Sequence, residues 1–423
     1  MISSLAIDGG TPVIKGKFSR YNSIGEEEIC AVTSVMRTGN LSQYVGAWTE
    51  DFYGGPQVRQ FEEAWQDFFG VKNAIVVNSW TSGLIASIGA LEIEPGDEII
   101  VSPWTMAASA TAILHWNAIP VFADISPIDF CLDPAAVEGA ITPFTRAIMI
   151  VDIFGQSADM DAFRSLAKKY DVKLISDTAQ APGAKYKEAF AGTMSNIGGF
   201  SLNYHKHIHT GEGGVIVTDD SDLAEKTRLI RNHAEAVVKE KGTTNLVNMI
   251  GYNFRMGELE AAIGIEQLKK LPKLLLSRQV AADKLRDGLK GLPGIRIPEV
   301  CEDRTHSYYV LPILLELSEL TVDRQRIFQA LKAEGLEGIA EGYVNLHLLP
   351  MYQSKMAYGS RGFPWIPEIA HREVDYSKGI CPVAEYLHSS SFLEFEMCRF
   401  ELNDTEVELV IQSFSKVLNH YAK

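Results

Sequence analysis

The sequence predicts an α/β protein: a large domain with a mostly parallel central sheet flanked by helices, and a smaller α+β C-terminal domain. Seven short apolar runs, rich in Ile and Val, lie between residues 73 and 218. Near-continuous apolar runs are typical of strands buried on both faces, as in parallel sheets covered by helices. Segments with helical spacing separate these runs, and strand–helix alternation indicates an α/β domain.

The predicted elements follow one another at regular intervals. The seven strands are NAIVVN (73–78), DEIIVS (97–102), IPVFADI (119–125), RAIMIVDIF (146–154), VKLISD (172–177), NIGGFS (196–201) and GGVIVT (213–218). Helical spacing follows the first strand, at Leu84, Ile85, Ile88 and Leu91, and recurs in DMDAFRSLAKKYDV (159–172). Ligands of such sheets bind outside the carboxyl ends of the strands, so we expect the functional site there.

The C-terminal third of the chain has a different pattern. GELEAAIGIEQLKKL (257–271) and AADKLRDGLKGL (281–292) each predict a helix, and GLPGIRIPE (291–299) then interrupts the pattern with Gly and Pro. Beyond it we predict a strand in YYVLPILLEL, a helix ending at Gly335 and a terminal helix over 404–422. A chain of 423 residues is too long for one ordinary core. We therefore predict a large domain over 1–290 and a small one over 291–423.

Composition and charge exclude several functions. The net charge of −15 disfavours binding to nucleic acid, and no apolar run is long enough to span a membrane. The five cysteines (Cys30, Cys131, Cys301, Cys381 and Cys398) are scattered, with no spacing suited to zinc. Such a sparse, odd set is typical of reduced thiols, and the N-terminal segment lacks the pattern of a signal peptide. We therefore expect a cytoplasmic protein without a bound metal.

Lys206 is the first candidate for chemistry. It lies in the segment FSLNYHKHIHTGEGGVIVT (200–218), which runs from one strand end through a polar loop to the next strand. Most lysines are solvated surface groups, so a lysine without further context is best interpreted as one of these. A lysine held among buried strands is desolvated, however, which favours the neutral amine that attacks a carbonyl.

Two further strand ends carry polar groups. Asp177 ends an apolar strand, where it either caps the following turn or holds a pyridinium nitrogen protonated; the residue alone does not decide. Thr81 and Ser82 open a helix after the first strand, where they either cap the helix, which is the commoner case, or help to bind a phosphate. Taken together, a phosphate site, a ring-nitrogen carboxylate and a Schiff-base lysine indicate pyridoxal 5′-phosphate (PLP).

These motifs resemble those of the DegT/StrS family of sugar aminotransferases, which are PLP-dependent enzymes with the aspartate aminotransferase fold (fold type I). The family's most specific pattern has its counterpart in 201–206 followed by Gly-Glu-Gly-Gly at 211–214. Its D-x-A-Q pattern matches 177–180, and its phosphate turn is similar to 79–84. The resemblance covers nearly the whole chain.

The resemblance implies roles for individual residues. Lys206 would form the Schiff base, Asp177 would meet the ring nitrogen, and Gln180 would lie near the ring hydroxyl. Ser201, Thr81 and Ser82 would bind the phosphate, and Asn253 in GYNFRMGELEAAIG would reach the phosphate of a partner subunit. Tyr343 and His347 in YVNLHLLPMY match a segment near the substrate, and His205 is a further candidate for substrate contact.

The activity implied is transfer of an amino group from glutamate or glutamine to a keto sugar. The acceptor would be a nucleotide-linked keto-deoxysugar or a cyclitol ketone, and the protein a homodimer with shared active sites. Three alternatives stay open: a PLP-dependent sugar dehydratase on the same scaffold, a non-catalytic sensor or scaffold, and a plain nucleotide-binding protein. Retention of Lys206 argues against dehydratases in which histidine replaces the lysine, and nucleotide-binding glycine motifs are absent from the sequence.

The sequence departs from the family's pattern at three places. Trp80 replaces a glycine of the phosphate turn, so the backbone there must tolerate a bulky side chain. Met106 lies where an aromatic ring usually stacks on PLP, so either its sulfur covers the ring or Trp104 takes that place. Third, His205, His207 and His209 alternate around Lys206. We expect a loop role or a substrate contact for one of them rather than a metal site, because no fourth ligand is evident.

Overall fold

The computed structural model describes residues 4–423 and confirms the predicted fold class. The strands of the first half of the chain are β1 (Asn73–Val77), β2 (Glu98–Val101), β3 (Ile119–Phe122), β4 (Thr145–Val151), β5 (Lys173–Asp177), β6 (Lys185–Tyr186), β7 (Ala189–Phe190), β8 (Ile197–Ser201) and β9 (Gly214–Thr218). Seven of them form one sheet in the order β1-β9-β8-β5-β4-β2-β3. Strand β9 runs antiparallel to both of its neighbours, whereas the other pairs are parallel. All seven predicted strands are therefore present, in a mostly parallel sheet.

Helices cover both faces of this sheet. The helices up to residue 289 are α1 (Glu26–Thr38), α2 (Pro56–Phe69), α3 (Trp80–Ala90), α4 (Ala108–His115), α5 (Pro134–Ala140), α6 (Met160–Tyr170), α7 (Ser221–Arg231), α8 (Ala234–Lys241) and α9 (Glu258–Leu289). Apolar residues of α3, α4 and α7 pack on one face, and those of α2 and α9 pack on the other. Because both faces are covered, the strands carry the near-continuous apolar runs seen in the sequence.

Helix α9 differs from the prediction of two separate helices. It runs unbroken for 32 residues and contains Pro272. Leu268 and Leu271 before the proline pack in the core beside the large sheet, while Ala282 and Leu285 after it pack in a second core. The buried apolar stripe therefore continues across the proline, and this burial compensates for the hydrogen bond that proline cannot make.

The C-terminal part has its own sheet. Its strands are β10 (Ile295–Arg296), β11 (Leu311–Leu315), β12 (Ile339–Ala340) and β13 (Phe392–Phe395), in the antiparallel order β10-β11-β13-β12. Its helices are α10 (Arg324–Ala333), α11 (Pro350–Gln353), α12 (Pro382–Tyr386) and α13 (Asp404–Tyr421). The predicted strand, helix and terminal helix of this region are thus confirmed as β11, α10 and α13.

The apolar cores cross the predicted boundary at residue 290 in both directions. Leu5, Ile14 and Phe18 near the N-terminus pack with the C-terminal sheet, and Leu346 and Tyr352 pack in the core of the large sheet. The division of the chain into domains 1–290 and 291–423 remains a prediction. Within residues 4–423, none of the helices combines the length and the apolar character needed to cross a membrane.

Candidate functional site

A cavity of about 170 Å³ lies at the carboxyl edge of the large sheet. The turn between β1 and α3, the segment between β2 and α4, the ends of β5 and β8, and the loop before β9 all contribute to it. The predicted residues that line it are Thr81, Met106, Asp177, Gln180, Ser201, His205 and Lys206. The fold therefore brings together residues that lie more than a hundred positions apart in the sequence, at the edge where ligands of such sheets bind.

Lys206 is buried in the loop between β8 and β9, with 6% of its surface exposed. Its Nζ lies 4.4 Å from the centre of the Tyr309 ring. Burial lowers the pKa of Lys206 to about 8, although the nearby charge of Asp177 acts in the opposite direction. The amine can therefore lose its proton close to neutral pH, as a nucleophilic lysine requires.

Asp177 ends β5 with a carboxylate that is held from two sides. Trp80 Nε1 donates a hydrogen bond of 2.7 Å to Oδ1, and Ser109 Oγ donates one of 2.7 Å to Oδ2. The backbone N–H of Ala179 lies 3.3 Å from Oδ1, a long local contact of the kind that a turn cap would make. Oδ2, which accepts only the hydrogen bond from Ser109, can accept a further one, and Asp177 lines the cavity. The buried carboxylate can therefore also bind a cationic or N–H group in the cavity.

Trp80 is accommodated because its neighbours lack side chains. The indole is buried, and a Cβ atom at Gly83, Gly199 or Gly214 would overlap with it or with its backbone. Gly199 in β8 leaves space for the ring, and Gly214 in β9 leaves space for the backbone of Trp80. This arrangement explains how the phosphate-turn position tolerates a tryptophan.

The N-terminus of α3 forms one end of the cavity. Ser79 caps the helix by accepting a hydrogen bond of 3.1 Å from the backbone N–H of Ser82, and the two hydroxyls are 2.9 Å apart. Ser79, Thr81 and Ser201 line the cavity, but Ser82 is not among its lining residues. A helix N-terminus with hydroxyl groups beside it favours an anion. The cap and the potential anion site thus occur together, with Ser79 rather than Ser82 lining the cavity.

The place of the expected stacking ring is taken by Met106. Met106 lines the cavity and is 55% exposed, with its sulfur 3.0 Å from the backbone N of Ala108. Trp104 is fully buried, and its indole donates to the carbonyl of Tyr343 outside this cavity. Of the two possibilities that the sequence left open, the structure therefore has Met106 in the cavity wall.

Gln180 links the first cavity to a second one. Its Oε1 accepts a hydrogen bond of 2.8 Å from the backbone N–H of Phe154, which fixes the orientation of the amide. Its Nε2 then donates to the hydroxyl of Tyr343 at 2.9 Å. Tyr343 and Tyr309 line a neighbouring cavity of about 570 Å³, and His205 lines both cavities. The two cavities are therefore adjacent on the side where Lys206 lies.

Two of the predicted residues lie elsewhere. His347 is fully buried beside Phe122, with Nε2 3.0 Å from Glu385 Oε1, and it lines neither cavity. Asn253 is exposed, and its Oδ1 accepts a hydrogen bond of 2.8 Å from Arg255 Nε. Within one chain, neither residue contributes to the cavity walls.

The three alternating histidines lie in different surroundings. His205 is partly exposed, and burial of part of its ring together with the Lys206 charge lowers its pKa to about 4. His207 is fully buried, with Nε2 2.9 Å from the carbonyl oxygen of Ser307. His209 accepts a hydrogen bond of 3.3 Å from the backbone N–H of Gly211 through Nδ1. Only His205 of the three reaches the cavities.

The sequence did not reveal the roles of three residues of the site. Trp80 and Ser109 donate hydrogen bonds to Asp177, and the ring of Tyr309 lies over Lys206. Ser109 lies in the first turn of α4, three residues after Met106. A hydroxyl on the helix that follows the second strand was a usable signal, since that helix begins at the same sheet edge. For Tyr309 there was no comparable signal, because it lies in the C-terminal part of the chain.

The residues present fit PLP. The cavity provides a buried lysine with a lowered pKa, a buried carboxylate with unused acceptor capacity, and a helix N-terminus flanked by hydroxyl groups. These groups match an aldehyde, a pyridine nitrogen and a phosphate. A mostly parallel sheet with a lysine and an aspartate placed in this way defines the class of PLP-dependent enzymes of fold type I.

The family follows from comparison with known proteins. A model of the DegT/DnrJ/EryC1/StrS aminotransferase family matches residues 22–377. The chain belongs to this family, and it is an aminotransferase. PLP is the cofactor that this family and this fold imply.

Curated relatives of this chain include a polysaccharide biosynthesis protein, a synthase and an aminotransferase. The spore coat polysaccharide biosynthesis protein SpsC of Bacillus subtilis is 34% identical over 347 residues, which cover 81% of this chain and 86% of the relative. GDP-perosamine synthase of Caulobacter vibrioides is 35% identical over 70% of this chain and 79% of the relative. The L-glutamine:2-deoxy-scyllo-inosose aminotransferase of Streptomyces paromomycinus is 33% identical, covering 79% and 80%.

Solved structures agree with the fold over nearly the whole chain. An aminotransferase from Psychrobacter cryohalolentis is 27% identical and has a TM-score of 0.82, covering 96% of this chain and 100% of that structure. PseC of Helicobacter pylori, an aminotransferase involved in the biosynthesis of pseudoaminic acid, is 28% identical and has a TM-score of 0.78, covering 96% and 99%. Both similarities extend well beyond the matched family region, into the C-terminal part.

Proposed function

We propose that this protein transfers an amino group from glutamate or glutamine to a keto sugar, either a nucleotide-linked keto-deoxysugar or a cyclitol ketone. The observation that carries the proposal is the cavity in which Lys206, Asp177 and the N-terminus of α3 come together. The names of the relatives support the acceptor class, since they include a GDP-perosamine synthase and a 2-deoxy-scyllo-inosose aminotransferase.

In this proposal the predicted residues around the first cavity would hold PLP. Asp177 would bind the ring nitrogen and keep its proton in place, and Gln180 would lie beside the ring hydroxyl. Thr81 and Ser201 would bind the phosphate together with the first turn of α3, which Ser82 supports through Ser79. Met106 would cover one face of the ring.

The lysine supplies the reactive amine and moves protons. When bound, PLP would supply an electron sink and a carrier for the amino group between donor and ketone. Nζ of Lys206 is the group that takes a proton from the substrate carbon and returns it, because its pKa of about 8 suits both directions near neutral pH. Tyr309 limits the access of water to Nζ from one side.

The cavities also suggest where the substrate binds. His205 and Tyr343 line the second cavity, beside the lysine, and we assign substrate contact to these two residues. No substrate contact is assigned to His347, because it is buried and paired with Glu385.

We further propose a homodimer with shared active sites. Asn253 is exposed near the turn between β1 and α3, where its backbone carbonyl accepts a hydrogen bond of 3.2 Å from Asn78 Nδ2. An exposed amide in this position is available to the phosphate site of a second copy. The five cysteines are all free in the structure, which supports a reducing compartment, and we place the protein in the cytoplasm.

Spectroscopy of the purified protein tests the proposal. Protein supplied with PLP should acquire a visible absorbance band. Borohydride should abolish this band and fix the cofactor on the peptide that contains Lys206. In a separate sample without borohydride, glutamate or glutamine should bleach the band, and a keto sugar should restore it. A protein that takes up no PLP would contradict the cofactor assignment. A band that no amino donor changes would favour the dehydratase alternative.

A further inference from the structure

The second cavity lies where an acceptor would have to bind if the proposed function holds. It has a volume of about 570 Å³, is larger than the first cavity, and shares His205 with it. Tyr309, whose ring lies 4.4 Å from Lys206 Nζ, forms part of its wall. Groups on this wall therefore face a molecule that reacts next to the lysine.

Glu394 contributes a carboxyl group to this wall from strand β13. Its strand neighbours Leu393 and Phe395 are fully buried in the C-terminal apolar core. The Oε2 atom of Glu394 is shielded from solvent and has no hydrogen-bond partner among residues 4–423. Leaving such an atom without a partner costs folding free energy. Glu394 as a whole is nevertheless partly exposed and lines the second cavity, where its carboxyl group can meet a ligand.

The charge state of Glu394 determines which group it suits. Burial and the nearby charge of Glu396 raise the pKa of Glu394 to about 8, so that it carries a proton at neutral pH. A protonated carboxyl donates one hydrogen bond and accepts another, as a hydroxyl group does. Arg399 lines the same cavity, but its Nη1 lies 2.7 Å from Glu396 Oε2 and is paired with that residue instead.

The neighbouring tyrosine makes the wall polar at this point. Burial raises the pKa of Tyr343, with a smaller contribution from the Glu394 carboxyl group, and both residues line the second cavity. The Tyr343 hydroxyl is already fixed by the hydrogen bond from Gln180. Glu394 and Tyr343 thus both present neutral hydrogen-bonding groups to the second cavity.

We propose that Glu394 determines substrate specificity by hydrogen-bonding a ring hydroxyl of the acceptor, so that the acceptor is a cyclic ketone with free hydroxyl groups. This inference rests on the proposed function and deepens it. A site that is built to bind a hydroxyl rejects an analogue without one, because the buried polar group is then left without a partner.

Binding to the PLP-loaded protein tests the inference, because without an amino donor a ketone binds but does not react. The probes are 2-deoxy-scyllo-inosose, a nucleotide-linked 4-keto-6-deoxyhexose, and cyclohexanone as the ketone without hydroxyl groups, each titrated by calorimetry. Glu394→Leu should weaken binding of the hydroxylated ketone by about tenfold or more, whereas Glu394→Gln, which keeps a donor and an acceptor, should stay within about threefold. Glu408→Leu, at an exposed position of α13, is the matched control and should have no effect.

Thermal unfolding of the same variants separates recognition from a structural role. Glu394→Leu should unfold at the same temperature as the wild type or a higher one, because it removes an unpartnered buried carboxyl. Glu394→Ala repeats the comparison if leucine does not fit. Unchanged affinity in these variants, or a wild type that binds neither hydroxylated ketone, would overturn the inference. Bleaching of the cofactor band by glutamate or glutamine still tests the proposed function independently.

Discussion

The indole Nε1 of Trp80 donates a hydrogen bond of 2.7 Å to Oδ1 of Asp177, and this contact joins the first turn of α3 to the end of β5. Both side chains are buried. Hydrogen bonds to ionised groups are stronger than those between neutral groups. Trp80 therefore fixes the carboxylate that we assign to the ring nitrogen of the cofactor, and it does so from a position that carries glycine in the family's usual turn.

Replacement of Trp80 by phenylalanine should keep most of the packing but remove the donor. We expect the free energy of unfolding to fall by about 1.5–3 kcal/mol, the usual range for a hydrogen bond to a charged group, and the affinity for PLP to fall as well. Thermal unfolding and equilibrium titration with PLP measure the two effects.

Trp116 provides the matched control. It is also buried, and its Nε1 donates a hydrogen bond of the same length, 2.7 Å, to the backbone carbonyl of Ile85. Trp116→Phe should lower the free energy of unfolding by only about 0.5–1.5 kcal/mol and leave the affinity for PLP unchanged. Equal affinities for PLP in the two variants would show that the contact with Asp177 has no part in cofactor binding.

The lowered pKa of Lys206 predicts how cofactor uptake depends on pH. With a pKa of about 8, the amine is mainly protonated below pH 8 and becomes neutral as the pH rises through that value. The rate at which the apo-protein captures PLP should therefore rise between about pH 6 and pH 8 and level off above, since only the neutral amine attacks. Lys206→Arg should show no covalent capture at any pH. A rise centred near 10.5 would mean that the lysine is not desolvated.

The same shift predicts a change in stability. Because the pKa of Lys206 lies below its ordinary value of 10.5, the unfolded chain binds more protons than the folded protein between about pH 8 and 10.5, and stability rises with pH in that window. Lys206→Met lacks this titration. The variant should be more stable than the wild type at neutral pH, with the difference shrinking as the pH approaches 10.5. Denaturant titrations of both apo-proteins at the two ends of the window provide the measurement.

The sequence was sufficient for the sheet and for seven of the residues that line the first cavity. Strand β4 is predictable because its residues 147–151 are all apolar, and Lys206 and Asp177 lie at strand ends, where local patterns can be recognised. The contact between Trp80 and Asp177 was not predictable, because it joins residues 97 positions apart and depends on the absence of side chains at Gly199 and Gly214. Such a contact is a property of packing between elements and leaves no periodic signal.

The second cavity was still harder to predict. Tyr309 and Glu394 come from the C-terminal part, and no local pattern marks either as lining this cavity. The continuity of α9 was missed for a related reason, since Pro272 favours a break locally while packing on both sides of it maintains the helix. Tertiary packing thus decided these features.

His347 distinguishes the family's pattern from the geometry of this chain. The sequence suggested a substrate contact, whereas the structure has the ring buried, with Nε2 3.0 Å from Glu385 Oε1. His347→Gln should therefore lower the free energy of unfolding by an amount on the order of 1–3 kcal/mol, and with it the unfolding temperature. It should leave ketone binding unchanged. Tyr343→Phe should behave in the opposite way, weakening ketone binding with little change in stability. Weaker ketone binding by a well-folded His347→Gln would restore the role suggested by the sequence.

Shared active sites predict rescue when two defective variants are mixed. Lys206→Ala lacks the amine, and Asn253→Ala lacks the amide that we assign to the phosphate of the partner subunit. If sites are shared, a mixed dimer has one site with both residues intact, so random mixing should restore about one quarter of the sites. The measurement is the amount of PLP that borohydride fixes on the protein after unbound PLP has been removed by dialysis. A chain carrying both substitutions, mixed with Asn253→Ala, is the control and should restore none. If Asn253 instead served the site of its own subunit, the first mixture would restore none either, because each subunit would keep its own defect.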